Sequence, residues 1–158
     1  MANPNTSTSG EQSAFDPNVF LNQEVTGAND VKYTPIPIGE YKAYIDDLGT
    51  DKYEQTPILV VTYALLDEKL KTELGLEKPT VIDRIFLDVD GAGNLAFGKN
   101  KNIKLGRLRE AVGLNDPKKK FNFNMLRGLG PLNILVEHNF NKKNEGPFAN
   151  VARVTRAA

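Results

Sequence analysis

What limits the fold most is the order of periodicities, which from residue 40 runs strand, strand, strand, helix, strand, strand. In EYKAYIDDL (40–48), Tyr41, Ala43 and Ile45 alternate with Lys42, Tyr44 and Asp46, the period-two pattern of a half-buried strand. The polar stretch GTDKYEQT (49–56) predicts a loop. PILVVTYALLD (57–67) reads as a second strand, with Pro57 at its first position, where a missing N–H is tolerated. EKLKTELGLEKP (68–79) is charged and ends in Gly and Pro, which fits an extended hairpin connection or a short helix. TVIDRIFLDVD (80–90) is a third strand, ended by GAGN (91–94). In NIKLGRLREAV (102–112), Leu105, Leu108 and Val112 fall on one helical stripe and Gly113 is a stop signal. Gly106 weakens that helix by about 1 kcal/mol relative to Ala. NFNMLRGLG (122–130) predicts a second short helix. PLNILVEHNF (131–140) and PFANVARVTR (147–156) are the last strands, joined by NKKNEG (141–146) at hairpin length.

This order predicts a mainly β domain over residues 40–156: an OB-fold-like five-stranded barrel with a helix between strands three and four. Residues 1–14 are almost without apolar side chains and predict a disordered tail. Residues 15–39 carry isolated anchors, and Pro35 and Pro37 hold TPIPIG extended; the segment reads as an arm lying on the domain. The chain has no Cys, so disulfides and thiolate metal sites are excluded. No stretch approaches the roughly 20 apolar residues of a membrane span, and the N-terminus has no apolar signal core. The expectation is a soluble cytoplasmic protein without a membrane partner.

The formal net charge is zero, yet the charges are segregated. Residues 1–90 carry 16 Asp/Glu against 7 Lys/Arg, and residues 91–158 carry 4 against 13. Non-specific polyanion binding needs only one basic face, so the C-terminal half is the natural place to look for function. Its densest block places Lys99, Lys101, Lys104, Arg107 and Arg109 within eleven positions. With the Leu stripe packed inward, helical geometry points Lys104, Arg107 and Arg109 to solvent. Further cations recur at Lys118, Lys119, Lys120, Arg127, Lys142 and Lys143, a pattern that fits a phosphate-tracking groove better than a balanced solvated face.

Aromatic residues are interleaved with these cations at Phe97, Phe121, Phe123, Phe140 and Phe148. Single-strand binders stack bases on such rings, but a chain without Cys or Trp is also expected to spend Phe and Tyr on its core. Tyr53, Phe121 and Phe140 border polar loops and are the rings expected at the surface. In an OB-fold the outer face of strands two and three binds the ligand, flanked by the loops after strands one and four. That rule selects Arg84 and Phe86, then Lys52 and Tyr53, then Lys142 and Lys143.

Three motifs lead elsewhere and are set aside. Gly93 to Lys99 fits G-x-x-x-x-G-K, but Asn100 stands where a P-loop needs Ser or Thr. Asp88-Val-Asp90-Gly91 resembles the start of a calcium loop, yet Lys99 occupies the position of the bidentate Glu. His138 is the only His and lies inside a strand pattern, which favours a structural role. Asp83, Asp88 and Asp90 leave a small metal-dependent nuclease as the weakest alternative. No catalytic constellation, metal site or cofactor is otherwise indicated, and the expectation is a non-enzyme.

Several segments resemble a group of bacteriophage proteins described as single-stranded-DNA-binding-like and encoded among replication and recombination genes. The resemblance rests on Phe15-Asp16-Pro17, on PIGEY (Pro37 to Tyr41), on RIFLD (Arg84 to Asp88) and on GKNKNIKLGRLREAVG (Gly98 to Gly113). It covers most of residues 15–155 and implies binding rather than turnover, with only the basic block carried over as a contact surface. Bacterial single-strand binders end in an acidic tail, whereas this chain ends Arg153-Val-Thr-Arg156-Ala-Ala, so recruitment of partners through such a tail is not expected. The reading is non-sequence-specific binding of single-stranded DNA in phage replication or recombination, with homo-oligomers or replication proteins as further partners. The alternative is a structural or adaptor protein assembling head to tail through its acidic and basic halves.

Overall fold

The computed structural model describes residues 14–157, so the disordered tail expected at residues 1–14 lies outside the described residues except for Ala14. The described chain forms two units, divided between Tyr33 and Thr34. The first contains a helix where only an extended arm was expected. The Asp16 carboxylate accepts hydrogen bonds from the backbone N–H groups of Asn18 and Val19, and Pro17 occupies the first turn; together they start α1 (Pro17–Leu21). Five residues are too few for the sequence to show helical periodicity. The second unit starts at Thr34, and Ile36 is already part of its core.

That unit is built on one five-stranded antiparallel sheet in the order β3-β2-β1-β4-β5. The strands are β1 (Gly39–Tyr53), β2 (Thr56–Leu65), β3 (Thr80–Phe86), β4 (Leu132–Asn139) and β5 (Phe148–Arg156). β1 is shared: Gly39–Ala43 pair with β4, and Ala43–Tyr53 pair with β2. Ala43 pairs with both neighbours, and a register shift against β2 between Ile45 and Asp47 marks a bulge at Asp46. Past Ala43, where the pairing with β4 ends, the freed edge of β1 is taken by a loop, with Ile45 N–H donating to Leu129 O and Gly128 N–H donating to Ile45 O, both at 2.8 Å. The loop approaches so closely that a Cβ on Gly130 would lie 2.7 Å from Tyr44 Cβ.

The polar run 49–56 is strand rather than loop, because the β1–β2 ladder continues to the Tyr53–Thr56 pair and only Glu54 and Gln55 turn. β3 and β5 are the two edges of the hydrogen-bonded sheet. Their Cα atoms come within 8 Å, but no ladder joins them, so the sheet is open and the expected barrel is not closed.

The inner face carries the core. Along β3 the side chains alternate strictly, with Val81, Asp83 and Ile85 buried and Thr80, Ile82, Arg84 and Phe86 exposed. Ala43, Ile45, Val61, Tyr63, Leu65, Leu132, Ile134 and Val136 are buried with them. The stretch 68–79 resolves into α2 (Glu68–Leu74), started by the Asp67 carboxylate and ended by Gly75 at φ 65°. β3 stops at Phe86, four residues short of expectation, because Asp90 accepts from the N–H groups of Ala92 and Asn94 and turns the chain. α3 (Ile103–Ala111) buries Leu105, Leu108 and Ala111 against the sheet, and Gly113 at φ 76° ends it. The helix expected at 122–130 shortens to a single 3₁₀ turn at Phe123–Leu126, anchored by the fully buried Leu126. No helix among the described residues is long and apolar enough to cross a membrane.

Candidate nucleic-acid interface

The basic block straddles a loop and a helix, and one residue ties them together. Asn102 N–H donates to Asp88 Oδ2, its Oδ1 accepts from Asp88 N–H, and its Nδ2 donates to the carbonyls of Asp88 and Ala96, all at 2.8–3.0 Å. Asn102 holds a left-handed conformation at φ 52°, one that Asn tolerates better than most residues. The 95–102 loop is thereby fixed against the start of α3, leaving a cleft of about 380 Å³ between them. Phe97, Lys101, Arg107 and Arg109 all contribute to its lining, and Phe97 is 78% exposed. Lys99, Lys101 and Arg107 are exposed, and among the described residues their side chains have no hydrogen-bond or ion-pair partner.

Two neighbours expected to join them are committed elsewhere. Lys104 Nζ lies 2.6 Å from Oδ1 of Asp83, a carboxylate in the core with 3% of its surface exposed. A buried carboxylate must find a cation or a proton, and the helix turn above β3 supplies one. Burial raises the Asp83 pKa, and the Lys104 ammonium lowers it by less. Asp83 Oδ2 and the Tyr63 hydroxyl are buried without a partner among the described residues, and burial together with the Asp83 charge pushes the Tyr63 pKa up. Arg109 is half-buried: its Nε donates to Leu114 O at 3.0 Å, and its guanidinium lies 4.1 Å from the centre of the Phe121 ring. Phe121, expected at the surface, is covered by that contact.

The outer face of β1–β3 assembles a second group. Asp51, Ile58 and Phe86 form one row across the three strands, and Gly49, Val60 and Arg84 form the next. Tyr53 and Phe86, 59% and 54% exposed, meet edge to face with ring centres 6.3 Å apart. Arg84 reaches across β2 to Asp51 at 2.6 Å, and the Arg84 hydrogen bond holds the Asp51 carboxyl below its ordinary pKa. Arg127 does the same for Asp47 on this face, at 2.8 Å. The face is therefore aromatic and charge-balanced rather than basic. Lys52 is not part of it: it neighbours Tyr53 in sequence and so projects from the opposite face of β1.

Lys142 and Lys143 lie on the β4–β5 loop as expected, exposed, with Phe140 and Phe148 exposed at its two ends. The Asn141 side chain shapes the turn by accepting from the N–H groups of Lys143 and Glu145. Across the second unit, none of the six Phe is fully buried. The expectation that the core would consume them holds only in part: Phe121 and Phe123 are partly buried against it, while the other four are exposed, because Ile, Leu, Val, Ala and one Tyr fill the centre. Phe140, expected at the surface, and Phe97 and Phe148, not expected there, are exposed rings that the OB-fold rule does not select. The available signal is position: all three stand at loop margins, Phe97 and Phe148 next to a Gly or Pro.

Asp83, Asp88 and Asp90 do not form a metal-binding set. Asp83 is held by Lys104, Asp88 and Asp90 are used by loop N–H groups, and no group of three His, Asp or Glu suited to a metal occurs among the described residues. His138 Nε2 lies 2.7 Å from Ile36 O, joining β4 to the start of the unit. Among the described residues, three ion pairs link cations of the C-terminal half to carboxylates of the N-terminal half: Lys104–Asp83, Arg127–Asp47 and Arg153–Glu40. No family model matches the sequence, and no curated protein matches it.

Proposed function

We propose that the protein binds single-stranded DNA without sequence specificity, using the 95–107 segment as its phosphate-contacting surface. One observation carries this reading: Lys99, Lys101 and Arg107 have no partner among the described residues, yet they share a fixed loop–helix segment with the exposed ring of Phe97. Free cations attract phosphates through counterion release, and an accessible aromatic face offers about 1–3 kcal/mol per stacked base. Tyr53 and Phe86 on the sheet, and Phe140 and Phe148 beside Lys142 and Lys143, extend the same chemistry to two other places.

The proposed fold is an OB barrel. The order β3-β2-β1-β4-β5 is that of such a barrel opened between its third and fifth strands, and α3 occupies the connection from β3 to β4. The resemblance to phage single-strand-binding-like proteins makes replication or recombination the proposed setting. Head-to-tail assembly through opposed charges is less well supported, because three ion pairs already join the two halves within one chain.

Replacing Lys99, Lys101 and Arg107 together by Gln tests the surface. The affinity for a single strand is expected to fall, and the slope of log K against log salt to flatten by about 2, at about 0.7 per phosphate contact. A triple variant that keeps the wild-type slope would place the contacts elsewhere.

A further inference from the structure

Lys104 belongs to the basic block by sequence, but it is withdrawn from it by a single carboxylate. It lies three residues before Arg107 on α3, a spacing that puts the two on adjacent turns of one helix face. Its side chain is about half exposed, so the ammonium is held at the edge of the core rather than enclosed. What directs it inward is Asp83, 2.6 Å away and almost wholly buried. Among the described residues Asp83 Oδ2 has no partner, so Lys104 is the only group there that offsets this buried charge. Moving Lys104 to an outside phosphate would strand Asp83, and a stranded buried carboxylate is far more costly than a surface phosphate contact is favourable.

We propose that Asp83 acts as an internal anion competing with phosphate for Lys104, so that Lys104 is a latent cation of the interface and Asp83 limits the affinity for the single strand. This rests on the reading of 95–107 as the contact surface. Asp83 is a restraining residue, not a contact residue: it never meets the nucleic acid and acts only through the lysine. Its neutralisation adds one phosphate-binding cation one helical turn from Arg107, without altering the exposed surface.

The test compares wild type, Asp83→Asn and Asp83→Asn/Lys104→Met in binding a fluorescent oligothymidine across a decade of salt. Asp83→Asn is expected to steepen the slope of log K against log salt by about 0.7, about a fivefold gain at the low-salt end, and the double variant to return to the wild-type slope. An Asp83→Asn protein with the wild-type slope overturns the proposal. If Asp83→Asn binds and wild type does not, the restraint stands and the natural function lies elsewhere; if neither binds, both ideas fall. Lysine acylation of the wild-type protein, read by mass spectrometry with and without the oligonucleotide, covers the case of a variant that does not fold. The oligonucleotide should protect Lys99 and Lys101 and leave Lys104 labelling unchanged. Protection of Lys104 would show that it already contacts phosphate and would overturn the restraint.

Discussion

Asp83 stands at a position that the alternation of β3 assigns to the core, and its consequences are energetic as well as functional. Burial raises its pKa by more than the Lys104 contact lowers it, so the folded protein holds a proton there more firmly than the unfolded chain does. The stability linked to that proton is present in acid and is lost as pH rises through the raised folded value. At neutral pH the ionised group is then a net burden. Asp83→Asn should raise Tm at pH 7–8 by roughly 2–4 °C, about 1 kcal/mol for a chain of this size, with the gain shrinking as pH falls toward 4. A lower Tm for this variant at neutral pH would show that the ion pair outweighs the desolvation. At Gly130 the constraint is steric. An added Cβ would lie 2.7 Å and 2.8 Å from Tyr44 Cβ and Cα and 2.9 Å from the Ala43 carbonyl, and most of that obstacle is backbone. Gly130→Ala should destabilise by about 1–3 kcal/mol in urea unfolding, and an unchanged midpoint would mean that the loop can move off β1.

Among the elements, the 95–102 loop and α3 form one functional piece because Asn102 joins them. Asn102→Ala removes three side-chain hydrogen bonds and leaves a left-handed φ that Ala disfavours. It should cost about 1–3 kcal/mol of stability and weaken single-strand binding several-fold, while circular dichroism shows α3 retained. Unweakened binding would mean that Phe97, Lys99 and Lys101 do not need a fixed loop. The elements differ in how far the sequence discloses them. β3 was legible because one of its faces is core and its alternation is unbroken. The outer part of β1 was not: residues 49–53 are all exposed, so they belong to a strand only through pairing with β2, a non-local contact. α1 and the 3₁₀ turn are four or five residues long, shorter than the window in which a helical period can show.

For the whole molecule, the segregation of charge along the sequence only partly survives folding. The basic block was visible as residue types, but the destination of each cation depends on partners far away in sequence: Lys104 on Asp83, Arg127 on Asp47 and Arg153 on Glu40. Arg109 is spent on Leu114 and Phe121. Of the cations of the C-terminal half, folding leaves Lys99, Lys101, Arg107, Lys118, Lys119, Lys120, Lys142 and Lys143 unpaired among the described residues, a smaller basic surface than the sequence count implies, and exposed Phe rings accompany it. The central claim is that this surface grips a single strand. Fluorescence anisotropy of a labelled oligonucleotide of about 30 nucleotides, titrated with the protein at two salt concentrations beside a duplex of the same length, tests it most directly. The account predicts binding that prefers the single strand and weakens steeply with salt, by about 0.7 in log K per contacted phosphate for each decade. Absence of binding at low salt, or equal affinity for the duplex, would contradict it.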